Sequence, residues 1–189
     1  LKKIPVNRKN KFYDGELLAG KTIGLIGYGK IAHKLSLILQ PFGINLLVYN
    51  HHPRQLAYGT QVELDEIAKA SDVISLHVPA TPETNQIIDD NFFNQMKQNA
   101  FLINTARGAL INSDSLYAAL TAHKIAGAAL DVLDSGQLHS VAEIQVLENV
   151  ILTPHIGASS REVLQQSSLR CANEILLLEN GEPSIQGYF

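Results

Sequence analysis

An alternation along the chain constrains its fold more than any single motif. Six short apolar runs, TIGLIG (22–27), NLLVYN (45–50), DVISLHV (72–78), AFLINT (100–105), IAGAALDV (125–132) and VILT (150–153), are separated by amphipathic stretches near 30–40, 63–70, 91–96, 112–122 and 158–180. Near-continuous apolar runs belong to strands covered on both faces, and parallel strands need a crossover between them, usually a helix. The pattern therefore predicts βαβ units, which places the chain in the α/β class as a doubly wound parallel sheet in three α/β/α layers. No internal repeat or low-complexity segment interrupts it.

At 189 residues the chain has the size of one large domain and buries a sizeable core. Its net charge of −3 gives no electrostatic reason to expect nucleic acid or an anionic membrane as partner. One cysteine, Cys171, excludes an intrachain disulfide and a cysteine-based zinc cluster, and its apolar-striped surroundings predict a small core residue. No apolar run approaches the roughly 18–20 residues of a membrane span, and no signal pattern opens the chain, so it reads as cytoplasmic. The histidines show no metal-binding spacing, and no metal is expected.

The run Gly27-Tyr28-Gly29-Lys30-Ile31-Ala32 has the form G-x-G-x-x-A, between a predicted strand and a predicted helix. That is the context in which such a loop binds a dinucleotide. Gly27 permits the tight turn, Gly29 lets the backbone approach a pyrophosphate at the helix N-terminus, and Ala32 lets helix and strand pack closely. The expected fold is thus Rossmann-type. Residues 1–20 form a Lys-rich lead-in or hinge, 21–157 the dinucleotide-binding domain, and 158–189 a C-terminal helix and tail.

The second strand of such a fold ordinarily ends in an acid that bonds the adenosine ribose. Here VYNHHPR puts Asn50 at that place. An aspartate repels a 2′-phosphate and asparagine does not, and His51, His52 and Arg54 are at hand to contact one. A solvated turn touching nothing is the alternative. The sequence permits NADP as well as NAD.

Three later stretches fall at the expected C-terminal ends of strands, where open α/β sheets bind ligands. They are LHVPATPETNQIID (76–89), INTARGALIN (103–112) and LTPHIGASSREV (152–163). Arg107 offers a fork for a carboxylate, and His155 an imidazole that titrates near neutrality. Taken singly, Arg107 is equally a surface ion-pair partner and His155 a turn residue. Their shared edge with the glycine loop favours chemistry. His77 reads as a packed or turn histidine.

With ELLAGKTIGLIGYGKIA, these stretches resemble the nucleotide-binding domain of the D-isomer-specific 2-hydroxyacid dehydrogenases, from about Glu16 to about Glu182. NTARGALI and TPHIGASS carry most of the specificity. The resemblance implies reversible hydride transfer between NAD(P)H and a 2-keto or D-2-hydroxy acid. It implies that Arg107 binds the substrate's carboxylate and carbonyl, and that His155 exchanges the proton on the carbonyl oxygen. Asp131 matches the position that contacts the nicotinamide amide. Lys30, Ile31, Asn50, Val78, Thr105 and Ala106 match positions lining the cofactor, and Gly157 joins Gly27 and Gly29 among the cofactor-binding glycines. A homodimer is expected.

Two departures accompany the resemblance. In the family most of a substrate domain precedes this one, whereas here only LKKIPVNRKNKFYDGELL does, so this chain alone is expected to bind cofactor and turn over poorly. Also, VLDSGQLHS (132–140) lacks the glutamate that pairs with the histidine in the family. Gly136 stands at its position and Gln137 at that of the following proline, with Asp134 two residues earlier. Asp134 reaching His155, Gln137 as a neutral partner, and weakened catalysis are the competing outcomes. A non-catalytic dinucleotide-sensing or interaction protein is the rival reading.

Overall fold

The computed structural model describes residues 15–134 and 141–181. Among these, seven strands form one parallel sheet: β1 (Thr22–Ile26), β2 (Asn45–Tyr49), β3 (Thr60–Gln61), β4 (Val73–Leu76), β5 (Phe101–Asn104), β6 (Gly127–Leu130) and β7 (Val150–Leu152). Their spatial order is β3-β2-β1-β4-β5-β6-β7. The helices are α1 (Lys30–Leu39), α2 (Leu64–Ala70), α3 (Asp90–Gln95), α4 (Ser113–Thr121), α5 (Val141–Gln145) and α6 (Arg161–Glu179). Because strand order reverses between β1 and β4, the crossovers diverge there and open a crevice at the strands' C-terminal ends.

Alternate residues of each strand enter different cores. Ile23 and Leu25 of β1, with Leu46 and Val48 of β2, pack on Ala32 of α1. Ile26, Ile74, Leu76 and Leu102 face the opposite way, among Ile67 of α2, Phe92 and Phe93 of α3 and Leu116 and Leu120 of α4. Each such side chain, fully buried, contributes roughly 1.5–3 kcal/mol of transfer free energy. This two-sided burial is why the strands read as continuous apolar runs.

The coverage is uneven. Phe101 and Ile151 share the α1 side of the sheet yet stay exposed, and α6 buries none of its residues. Cys171, expected in the core, is exposed on that helix. Its apolar neighbours on α6, among them Leu164, Leu169 and Ile175, are exposed with it, so the stripe is real but packs against nothing described.

The N-terminal ends of the strands are tied by Asp72. Its Oδ2 accepts the Thr22 N–H at 2.8 Å and its Oδ1 meets the Lys97 ammonium at 2.9 Å. No described helix is long and apolar enough to cross a membrane.

Candidate active site

The chain leaves β1 directly into the glycine loop. Gly27 has φ 97°, and a Cβ there would lie 2.7 Å from the His77 carbonyl oxygen, so only glycine lets the turns after β1 and β4 approach this closely. At Gly29 a Cβ would meet nothing within 4 Å. Gly29 is the N-cap of α1 and supplies no side-chain cap, so the helix start faces open space with its dipole's positive end. Such a cradle fits the pyrophosphate of a dinucleotide.

Tyr28, between the two glycines, fills a variable position of the G-x-G-x-x-A loop. Its N–H donates to Asn50 Oδ1 at 3.2 Å. The Ser36 hydroxyl spends its proton on the His33 carbonyl, so the Tyr28 hydroxyl donates to Ser36 Oγ at 3.0 Å and accepts the Ala57 N–H at 3.2 Å. Tyr28 thus joins the loop, α1 and the segment after β2.

Asn104, at the end of β5, is buried. Its Oδ1 accepts the Ala106 N–H at 3.0 Å and its Nδ2 donates to the Arg107 carbonyl at 2.9 Å. A buried amide satisfied on both sides fixes the turn that carries Thr105, Ala106 and Arg107. The Arg107 side chain is exposed, with Nη1 donating to the Ala106 carbonyl at 2.7 Å. Gly108 packs so closely on the backbone of Leu133 and Asp134 that a Cβ would clash there, which seats the arginine turn against the exit of β6.

Asp131 leaves β6 only 6% exposed. Its carboxylate accepts the Thr153 hydroxyl, the Ile156 N–H at 2.9 Å and the Gly157 N–H at 2.9 Å. Burial pushes its pKa up, but those three donors and the charge of His155 outweigh burial and hold it below its ordinary value. The turn so held includes His155 at φ 52°, a left-handed conformation uncommon outside glycine, with its N–H donating to the Asp131 carbonyl at 2.9 Å. The imidazole side is exposed.

A cleft of about 1500 Å³ opens over β1, β2, β4 and β5. It gathers Gly27, Gly29, Lys30, Ile31, Asn50, Val78, Thr105, Ala106 and Arg107, all of the candidate residues before β6. His77 lines it half-buried; burial pushes its pKa down, and its Nε2 has no hydrogen-bond partner among the described residues. Asp131 and His155 line a separate recess of about 480 Å³ beside it, with Gly157 against Asp131. Gly136 and Gln137 lie outside the described residues. So does His139.

The sequence model of the D-isomer specific 2-hydroxyacid dehydrogenase NAD binding domain matches residues 2–157. D-3-phosphoglycerate dehydrogenase 1 of Saccharomyces cerevisiae is 43% identical over 165 residues, covering 79% of this chain and 34% of the relative. Glyoxylate reductase of Thermococcus litoralis is 36% identical over 185 residues, covering 96% of this chain and 56% of the relative. The solved acyclic imino acid reductase in complex with NADPH and D-Arg superposes with a TM-score of 0.82 at 34% identity, covering 89% of this chain and 54% of that one. The chain therefore spans from about a third to about half the length of the proteins it matches. A match this extensive, laid over a parallel sheet with the glycine loop at its switch point, shows that the chain belongs to the D-isomer-specific 2-hydroxyacid dehydrogenases and is a NAD-binding domain of that family.

Proposed function

We propose that this domain serves reversible hydride transfer between a nicotinamide coenzyme and a 2-keto or D-2-hydroxy acid. The observation that carries the reading is convergence. An uncapped helix start, an arginine presented by a buried asparagine and a histidine turn held by a buried aspartate share the C-terminal edge of one sheet.

The coenzyme would lie along the Gly27–Ala32 loop, with its ribose toward Asn50, and Val78, Thr105 and Ala106 would flank its nicotinamide half. When bound, it supplies or takes the hydride. Arg107 receives the substrate carboxylate in its guanidinium fork and polarises the neighbouring carbonyl. His155, in its protonated form, delivers a proton to the carbonyl oxygen during reduction and recovers it in oxidation. Asp131 keeps the backbone of Ile156 and Gly157 in place, and with it the histidine turn. Residues 21–157 act as the coenzyme-binding unit in this reading, with 158–189 as C-terminal helix and tail. Apolar side chains exposed on α1 and α6 support a homodimer, which light scattering tests.

Calorimetric titration of the chain with NADH and NADPH tests the proposal. Saturable binding of at least one, weakened by Gly27→Ala, is expected. Absence of binding by both would overturn it. Reduction of glyoxylate, hydroxypyruvate and pyruvate, compared between the wild type and His155→Gln, tests the chemical assignment.

A further inference from the structure

Among the described residues, three other than glycine have a positive φ: Gln86, His123 and His155. Histidine enters the left-handed region comparatively often, and glutamine does not. Gln86, in the segment between β4 and α3, therefore holds φ 53° against its own backbone preference. Such a conformation persists where the surrounding bonds over-determine it, and it gathers at functional sites.

The bonds around Gln86 lead to the arginine turn. Its N–H donates to the Ala109 carbonyl at 2.8 Å, and its Oε1 accepts from Asn112 Nδ2 at 2.9 Å. The Ile88 N–H donates to the Leu110 carbonyl at 3.0 Å, and the Asn112 N–H donates back to the Ile88 carbonyl at 3.0 Å. Residues 86–88 are thereby strapped along residues 109–112, with Ile88, Leu110 and Ile111 fully buried. Asn112 Oδ1 is taken by the Ser115 N–H at 2.9 Å as the cap of α4, which leaves its amide nitrogen for Gln86. The strapped stretch starts just past Arg107, whose carbonyl accepts the Leu110 N–H at 3.3 Å and the Asn104 amide. At its other end, the Gln86 segment carries Pro79 and Ala80 into the lining of the cleft. The Thr84 hydroxyl ties that lip down, donating to the Pro79 carbonyl at 2.7 Å and accepting the Thr81 N–H at 2.8 Å.

We propose, resting on the dehydrogenase reading above, that Gln86 and Asn112 form a positioning clamp for Arg107. Neither lines the cleft or the recess beside it. The exposed Arg107 side chain bonds only to the neighbouring Ala106 carbonyl among the described residues, so its backbone decides where the guanidinium fork stands. A two-pronged contact with a carboxylate tolerates little misplacement. Asn104 fixes the start of the turn, and the clamp fixes the stretch that follows it.

Gln86→Gly separates positioning from simple bracing, because glycine adopts φ 53° without strain yet removes the carboxamide. Asn112→Ser keeps a good N-cap on α4 and loses the reach to residue 86. The full chain, saturated with NADH or NADPH, is titrated with oxamate, an isostere of a 2-keto acid, while the Arg107 Nε–Hε resonance is followed. Steady-state rates with glyoxylate and thermal melts accompany the titration. Both variants are expected to weaken oxamate and raise the KM for glyoxylate by roughly 3- to 10-fold, the contribution of one hydrogen bond, with kcat and coenzyme affinity changed less than about 2-fold. Gln86→Gly should melt no lower than the wild type, and the double variant should lose no more than either single one. Unchanged oxamate affinity in Gln86→Gly would overturn the clamp and leave the dehydrogenase reading intact. So would equal losses of oxamate and coenzyme binding together with a lower melting temperature. A wild type that binds coenzyme but neither oxamate nor glyoxylate would overturn the substrate role of Arg107, and the clamp with it.

Discussion

Asp131 Oδ2 accepts the backbone N–H of Gly157 at 2.9 Å, so the exit of β6 fixes the turn that follows β7. With the Ile156 N–H and the Thr153 hydroxyl on Oδ1, three donors depend on one carboxylate. Asp131→Ala leaves two backbone donors unpaired and is expected to cost roughly 1–3 kcal/mol of unfolding free energy in urea. Asp131→Asn should be nearly as costly, because its NH2 group must face one of those donors. Activity should fall further than stability in both, since the left-handed His155 loses its support. Equal stability of wild type and Asp131→Ala would refute the bracing role.

Acid should loosen the same turn. The folded-state pKa of Asp131 is depressed, so its stabilisation is present above the unfolded value of about 3.9 and is lost as pH falls through the folded pKa. Asp72 follows the same sign. Burial raises its pKa, but the Thr22 N–H, Lys97 and Lys21 outweigh burial and lower it. Asp72→Asn is expected to cost roughly 1–2 kcal/mol at neutral pH and to flatten the loss of stability below about pH 4. Coenzyme affinity should not change, because Asp72 sits at the opposite end of the strands from the cleft. Urea midpoints from pH 7 to 3 on both variants check the two aspartates separately.

Gly27→Ala combines two penalties: a positive φ of 97° and a methyl 2.7 Å from the His77 carbonyl oxygen. More than about 1 kcal/mol of destabilisation is expected, with loss of coenzyme binding. Gly29→Ala is the informative contrast. A Cβ there meets nothing within 4 Å of the chain itself, so stability should hold. If coenzyme affinity nevertheless drops, the empty space before α1 is where the pyrophosphate lies.

The sheet was legible because burial on both faces writes itself into sequence as apolar runs. Six of the seven described strands fall inside the runs read from TIGLIG to VILT. Each run overreaches its strand: 72–78 shortens to Val73–Leu76, and His77, whose N–H still donates to the Ile26 carbonyl at 2.7 Å, and Val78 line the cleft. β3 was missed, since Thr60–Gln61 is a two-residue edge strand too short to show periodicity. The helix Val141–Gln145 was missed for a like reason. The glycine loop, Arg107 and His155 were legible as motifs. The residues that hold them were not: Asn104, Tyr28 and Gln61 act through side-chain bonds to backbone groups distant in sequence, and no spacing rule records those. The family resemblance implies contact of Asp131 with the nicotinamide amide, while its bonds to the histidine turn are visible only in the fold.

Arg107 is exposed, and its turn is set by Asn104 rather than by its own packing. Arg107→Lys should therefore leave stability within about 0.5 kcal/mol of the wild type. Loss of the planar fork should lower kcat/KM for 2-keto acids by roughly 10- to 100-fold, the equivalent of one charged hydrogen bond. Coenzyme affinity should change far less. If NADPH binding falls as much as kcat/KM, Arg107 serves the coenzyme and not the substrate carboxylate.

Gly136 occupies the position where the family resemblance implies a glutamate paired with the catalytic histidine. A carboxylate beside an imidazole favours its protonated form, which is the form that donates in reduction. Gly136→Glu should therefore extend the reductive pH–rate profile toward alkaline pH and raise kcat more than it changes KM. The sign is fixed by charge: Gly136→Gln offers an acceptor without the charge and should shift the profile much less. An unchanged profile in Gly136→Glu would mean that His155 works without a carboxylate in this protein. Its orientation would then rest on the turn that Asp131 holds.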